Sequence, residues 1–247
     1  MPSKKTVASA SIEVCIREGG FTLKTLEGDD EKAQAYRLRH RVFSDELGWV
    51  PRTTDQRETD AYDSHAVPIG ILDEPKRVLA CARLVLPDRI FMIEKEFFPL
   101  VSSNHKIRKA DDTAEVSRLC VSPEARNTSV SGNLGAHGLS MLLYKGIYHW
   151  CTRNRVRYIY IVVDYKIYRL FWAKGFPCRP VGEPVAMPDG CIAVAAMVDF
   201  EELVSLNTAR RPELMRWFLE RGSGCAERTL SGPEKIRDFP LAGAAAL

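Results

Sequence analysis

The chain has 247 residues, 45% of them hydrophobic, and a formal net charge of +3 at pH 7. This length and composition predict one large globular domain, and so small a net charge gives no support to a nucleic-acid partner. No run approaches the ~20 apolar residues of a membrane span. The basic N-terminal residues are not followed by the apolar core of a signal peptide. We therefore expect a cytoplasmic protein without a membrane span.

The residues that most often bind metals are scattered along the chain. The seven cysteines include no C-x-x-C pair, and the five histidines show no spacing typical of ligands. We therefore predict no metal site.

The first half of the chain predicts a helix followed by antiparallel strands. Residues 1–20 are predicted to form a leader with one strand or short helix at most. Periodicity and turn signals then place the elements as follows: a strand at 21–25, a helix at 27–45, an acidic loop at 53–64, strands at 66–72 and 78–86 that pair as a hairpin, and a partly helical segment at 87–101.

The second half predicts alternating strands and helices. A strand at 114–121 ends at Ser122-Pro123, because proline cannot continue a strand ladder. The pattern then predicts a glycine-bearing loop, a helix at 136–153, a central strand at 156–163, a short helix at 165–174 and a strand at 191–200. We place one domain at 21–207. It is followed at 208–247 by a C-terminal helix, which begins near Pro212, and by a mobile tail from Ser223 onward.

Two charges interrupt the strand at 114–121. Glu115 and Arg118 are three residues apart, so in a regular strand they face opposite sides and at least one points inward. One interpretation is a functional site, and the other is a buried ion pair that only holds the sheet. The strand, glycine loop and helix could also offer backbone N–H groups to a phosphate.

The element order and several motifs resemble the GNAT acyltransferases, and within them the acyl-homoserine-lactone (autoinducer) synthases. Long-chain N-acyl amino acid synthases, including the exosortase-associated acyltransferases, are similar. The matching positions lie between residues 36 and 121, in the expected order and spacing: Arg39, Phe43, Trp49, Asp60, Asp63, Arg83 and the Glu-x-Ser-Arg motif of Glu115, Ser117 and Arg118.

The resemblance implies an α/β fold (α+β type), with a GNAT-like mixed, mainly antiparallel central sheet flanked by helices. It also implies transfer of a fatty acyl group from acyl carrier protein to a small amine, to make an acyl-homoserine lactone from S-adenosylmethionine. The alternatives are an N-acyl amino acid synthase, and a carrier-binding module with an inactive site. No cofactor is expected, because the phosphopantetheine thioester and S-adenosylmethionine are substrates.

The resemblance also assigns roles to residues. Glu115 is the expected base for the amine, and Arg118 belongs with it in the catalytic set. Backbone N–H groups, where strands 114–121 and 156–163 separate, would stabilise the oxyanion. Acceptor binding is expected of Arg39, Phe43, Trp49, Asp60, Asp63, Arg83 and Ser117, and pantetheine binding of Val121, Gly132 and Gly135. The alternative is ordinary: surface ion pairs and core aromatic residues.

A basic stretch follows the predicted glycine loop. Between residues 145 and 180 there are eight basic residues and one acid, Asp164. The alternatives are a solvated face, or a rim that steers an acidic carrier protein. As docking residues we predict Lys145, Arg153, Arg155, Arg157 and Lys174.

Overall fold

A nine-stranded sheet forms the centre of the molecule. The structure, a computed structural model, describes residues 12–132 and 135–221. In the order β1-β2-β3-β4-β5-β8-β11-β10, with β9 also paired to β11, the strands form one sheet, and β6 and β7 form a separate hairpin. Their bounds are β1 Cys15–Glu18, β2 Phe21–Thr25, β3 Val67–Leu72, β4 Val78–Val85, β5 Thr113–Val121, β6 Ser129–Gly132, β7 Gly135–Gly138, β8 Tyr158–Asp164, β9 Cys178–Pro180, β10 Val185–Ala186 and β11 Ile192–Asp199.

Helices cover both faces of this sheet. They are α1 Asp29–Arg39, continued by a π-helix at His40–Glu46, then α2 Met92–Lys95, α3 Leu139–Arg153, α4 Tyr165–Ala173, α5 Phe200–Arg210 and α6 Pro212–Leu219, with short 3-10 turns at Phe98–Leu100 and Pro123–Ala125. The predicted mixed α/β class with a mainly antiparallel sheet is confirmed. None of the described helices is long and apolar enough to cross a membrane.

One strand pair in the sheet is parallel and then separates. β5 pairs with β8 only from Thr113 to Val116, opposite Tyr158 to Ile161, whereas β5 itself runs on to Val121. The other pairs are antiparallel. Beyond Val116 the two strands therefore leave a wedge at the middle of the sheet, as the family resemblance implied.

A β-bulge changes the direction of Arg118. On β4 only Ala82 separates the partners of Ser117 and Cys120, whereas β5 has two residues there, Arg118 and Leu119. Arg118 takes a left-handed conformation, with φ of 53°, which is uncommon for a side chain of this size. The prediction that Glu115 and Arg118 face opposite sides is therefore wrong: the extra residue returns Arg118 to the side of Ser117.

The predicted leader contains one strand, β1, as the prediction allowed, and its Ile16 belongs to the main core. Two other stretches differ from the sequence prediction. The predicted glycine loop contains the β6–β7 hairpin, and α3 begins at Leu139, because residues 135–138 pair as a strand. Helix α5 was not predicted, although Asp199 caps its N-terminus by accepting from Glu201 N–H at 2.9 Å. The predicted mobile tail from Ser223 onward lies outside the described residues.

Candidate functional site

Arg39 lies at the end of α1 and joins this helix to the acidic loop. Its Nε donates to Glu58 at 2.5 Å. Its two terminal nitrogens donate to the two Asp63 oxygens at 2.6 and 3.0 Å. Such two-pronged geometry suits the planar guanidinium. The loop is therefore fixed to the helix by charged contacts.

Arg83 and Arg118 attach the same loop to the sheet. Arg83 donates to both Asp60 oxygens at 2.5 and 2.7 Å, to Asp63 at 2.8 Å, and to the Ser117 hydroxyl at 2.9 Å. Arg118 donates to Glu58 at 2.9 Å and to Asp60 at 3.1 Å. With Arg39, these residues form a closed network of three arginines and three carboxylates, which we call the ion network.

Because the charges of the ion network are largely buried, each of them needs its partners to offset the free-energy cost of burial. Burial is the largest influence on the pKa of Asp60 and raises it, but the hydrogen bonds from Arg83 and the charges of Arg83 and Arg118 together leave that pKa below its ordinary value. At Asp63, the hydrogen bonds from Arg39 and the charges of Arg39 and Arg83 together outweigh burial, so its pKa is also lowered. Removing one member would leave its buried partners with one charged contact fewer, and breaking a buried ion pair typically costs about 3–5 kcal/mol.

Glu58 belongs to the ion network but was not among the predicted site residues. It is buried, and its two oxygens accept from Arg39 and Arg118. The sequence showed only one more acid in an acidic loop. Its place between two arginines depends on how the loop folds back over β5.

Glu115 has both carboxylate oxygens occupied by backbone donors. Met92 N–H donates to one oxygen at 2.6 Å and Ile93 N–H to the other at 2.8 Å, so Glu115 caps the first turn of α2. Only 1% of the residue is exposed. Burial raises its pKa to about 7, against the opposing effect of those N–H groups. Burial thus favours the neutral form of this carboxyl group.

An aromatic pair borders the ion network. Phe43 and Trp49 stack with ring centroids 6.2 Å apart, and the Arg118 guanidinium carbon lies 5.7 Å from the Phe43 centroid. Phe43 lies in the π-helix, an irregularity frequent at functional sites. Trp49 is 44% exposed. It can therefore meet a ligand that approaches from solvent.

An apolar cavity of about 40 Å³ lies at the wedge between β5 and β8. Val116 and Leu119 line it from β5, and Ile159 and Ile161 from β8. The remaining lining is aromatic or aliphatic, apart from one cysteine: Tyr144, Ile147, Phe171, Phe176, Cys178, Val198 and Phe200. The site therefore combines a charged region and a hydrocarbon-lined region on neighbouring parts of β5.

The predicted pantetheine residues lie at two places. Val121 is the last residue of β5 and pairs with Ala80, on the part of β5 that has left β8. Gly132 and Gly135 face each other at the end of the β6–β7 hairpin. Two strand-paired glycines differ from the helix-terminal phosphate loop that we expected.

The structure corrects the predicted docking surface at Lys145. This side chain is fully buried; its Nζ donates to Glu18 at 2.9 Å and lies 4.6 Å from the Trp217 ring centroid. It therefore links α3 to β1 and α6, and cannot meet a protein partner. Arg157 is half-buried and pairs with Asp199 and Glu201. Arg155 is exposed, and Arg153 and Lys174 are partly exposed.

No group of three or more His, Cys, Asp or Glu side chains within residues 12–132 and 135–221 could hold a metal ion.

Comparison with known proteins identifies the family. The family model for autoinducer synthase matches residues 24–205, which include the ion network, β5, β8 and the cavity wall as far as Phe200. The chain belongs to the autoinducer synthase family.

Individual relatives agree with this assignment. The chain is 32% identical over 166 residues to an acyl-homoserine-lactone synthase of Rhizobium radiobacter, covering 66% of this chain and 75% of the relative. It is 31% identical over 159 residues to a probable acyl-homoserine-lactone synthase of Sinorhizobium fredii strain NGR234, covering 62% and 75%.

A solved structure shows the same fold. BjaI, described as a CoA-dependent acyl-homoserine lactone synthase with MTA, superposes with a TM-score of 0.63 at 22% identity, covering 77% of this chain and 92% of BjaI. The GNAT-like fold is thereby confirmed for this autoinducer synthase family member.

Proposed function

We propose that this protein transfers an acyl group from a thioester to the amine of S-adenosylmethionine and releases an acyl-homoserine lactone. The observation that supports this most is the ion network beside the wedge of β5 and β8. A zwitterionic acceptor needs charges of both signs, whereas an acyl chain needs an apolar cavity. This site offers both on one strand.

The reaction consists of two bond exchanges. The acceptor's neutral amine attacks the thioester carbonyl, forms the amide C–N bond and expels the thiolate, which takes up the proton that the amine loses. The acceptor's carboxylate then attacks its own γ-carbon, forms the lactone C–O bond and breaks the bond to sulfur, so that methylthioadenosine leaves. No oxidant or reductant is needed.

The open edge of the ion network is where the acceptor would bind. Its carboxylates and guanidiniums already pair with one another, but the side chains of Asp60 and Arg118 remain 23% and 15% exposed. The acceptor's ammonium would meet Asp60 and its carboxylate Arg118. The sulfonium would lie against the Phe43–Trp49 pair, since a cation is attracted to aromatic faces.

Glu115 would act as the base for the attacking amine without contacting it directly. Its oxygens are occupied by Met92 and Ile93 N–H, so we propose that it takes the amine proton through a water molecule and then passes it to the departing thiolate. Its raised pKa suits this exchange near pH 7. Free backbone N–H groups of β5, beyond Val116, would stabilise the oxyanion.

Acyl carrier protein is the acyl donor that we propose, with its phosphopantetheine arm along the unpaired end of β5. The exposed or partly exposed basic residues Arg153, Arg155 and Lys174 would attract its acidic surface. BjaI is described as CoA-dependent. The same arm is present in coenzyme A, so the donor must be determined by assay.

Mass spectrometry of products tests this proposal. The purified full-length protein is incubated with S-adenosylmethionine and either an acyl carrier protein thioester or the matching acyl-CoA. An acyl-homoserine lactone with one or both donors is the expected result. N-acyl methionine formed from methionine at a similar rate would instead favour an N-acyl amino acid synthase. No acylated product from either acceptor would overturn the proposal.

A further inference from the structure

A second, smaller cavity lies behind the acyl cavity at the wedge. It measures about 10 Å³ and is lined by the loop after α4 and by helices α5 and α6. The lining residues are Lys174, Gly175, Phe176, Leu203, Asn207, Leu214, Met215 and Phe218. Among the described residues, Phe176 is the one side chain that lines both cavities. A single ring thus stands between them.

The Phe176 ring is held between the two groups of lining residues. Its centroid lies 5.4 Å from Tyr144 and 5.9 Å from Phe171, which line the first cavity, and 5.7 Å from Phe218, which lines the second. It is 8% exposed. The ring is therefore a packed partition between the cavities.

The far wall of the second cavity comes from α6, which lies beyond the family match ending at residue 205. This helix is firmly anchored. His149 bonds the Phe218 carbonyl at 3.0 Å, and Trp217 donates to Glu18, the partner of the buried Lys145. A fixed wall means that removing Phe176 opens space that α6 does not simply refill.

We propose that Phe176 sets the maximum acyl chain length, and that the second cavity is a binding site for the terminal methylenes of a longer chain once this ring is reduced. The inference rests on the proposed function, because it takes the first cavity as the acyl site. Each methylene buried beyond the partition should tighten binding by about fourfold.

Binding of S-alkyl pantetheine thioethers tests the inference without catalysis, because these compounds carry the chain but lack the reactive carbonyl. Calorimetry is run over a series of increasing chain length on the full-length protein. In wild type, affinity should rise with length and then stop rising. In Phe176→Ala that limit should move to longer chains, and in Phe176→Leu to an intermediate length.

Leu214→Ala is the matched control, because Leu214 lines the second cavity alone. By itself it should leave the limit unchanged, whereas added to Phe176→Ala it should extend the limit further. Product chain lengths from mixed acyl donors should follow the same order.

An unchanged limit in folded Phe176→Ala and Phe176→Leu would overturn the inference. Phe176→Leu decides the matter if the alanine variant does not fold. If wild type forms no lactone, but the chain-length limit for thioether binding still moves in Phe176→Ala, the proposed function is refuted. The inferred binding site for longer chains would then still be supported.

Discussion

At the scale of single residues, Glu115 shows how one side chain serves the fold and constrains the chemistry. A buried carboxylate that caps α2 through two N–H groups is a structural anchor. Burial also raises its pKa from 4.5 to about 7, which gives it the proton affinity of a base at neutral pH. Glutamine at this position would keep one oxygen to accept from an N–H group, but it could not take up a proton. The Glu115→Gln variant therefore separates the structural role from the role as a base.

Glu115→Gln should remove one component of the pH dependence of stability. The folded protein holds this proton more tightly than the unfolded chain, so the wild-type free energy of unfolding should fall as pH rises from about 4.5 to about 7. The variant should lack this fall, and be less stable at low pH by about 1–3 kcal/mol because one N–H loses its acceptor. Urea unfolding across this pH range measures both.

Turnover of Glu115→Gln, with the exposed Glu74→Gln as control, completes the test. We expect turnover to fall strongly in the first variant and to stay unchanged in the second. Near wild-type turnover with a changed stability profile would assign Glu115 to the fold alone. Identical pH profiles of stability in both variants would contradict the raised pKa.

At the scale of elements, the ion network joins α1, the acidic loop, β4 and β5 into one unit. Each carboxylate accepts from two arginines: Glu58 from Arg39 and Arg118, Asp60 from Arg83 and Arg118, and Asp63 from Arg39 and Arg83. Losing any member should therefore loosen the whole loop over the acceptor site.

Asp63→Ala and Arg118→Ala should each lower kcat/KM for the acceptor at least about tenfold, and the double variant should be little worse than either. Residues that act as one unit are not additive. The control is the exposed Arg41–Glu124 pair, whose Arg41→Ala change should have little effect. Multiplicative losses in the double variant would show that the two residues act independently.

At the scale of the whole molecule, the distribution of exposed basic residues bears on where the proposed carrier protein would approach. The basic stretch does not form one uniform surface, because Lys145 is buried and Arg157 is paired with two acids. The proposed carrier surface is then the area around Arg153, Arg155 and Lys174. Arg155 precedes β8 at the end of the sheet where β5 begins, whereas the two strands separate at the other end. We therefore expect Arg155 to attract a carrier at long range rather than to hold its arm. Steering by such charges weakens as salt rises.

Arg153→Glu combined with Arg155→Glu should raise the KM for acyl carrier protein about tenfold at low salt, and should flatten its salt dependence. The KM for S-adenosylmethionine should stay nearly unchanged, because the ion network is untouched. The charge reversal Arg77→Glu, in the exposed β3–β4 turn, is the control and should leave both constants unchanged. If the double variant keeps the wild-type KM for acyl carrier protein and the wild-type salt dependence, this surface does not bind the carrier.

The sequence by itself determined the order of most helices and strands and the family motifs. Hydrophobic periodicity, capping residues and proline positions are local signals, so α1, α4, α6 and the β3–β4 hairpin could be predicted. The motifs from Arg39 to Arg118 rest on spacing along the chain, which is also local information. They include the three arginines and two of the three carboxylates of the ion network, but they do not show the contacts among them.

Only the tertiary structure decided which side each charge faces. The bulge at Arg118 depends on its pairing with β4, and it places that arginine with the ion network. Lys145 is buried because β1 and α6 supply Glu18 and Trp217 from distant parts of the chain. The Phe176 partition likewise needs α6 in place. Such contacts join residues far apart in sequence, where a local pattern has no means of specifying them.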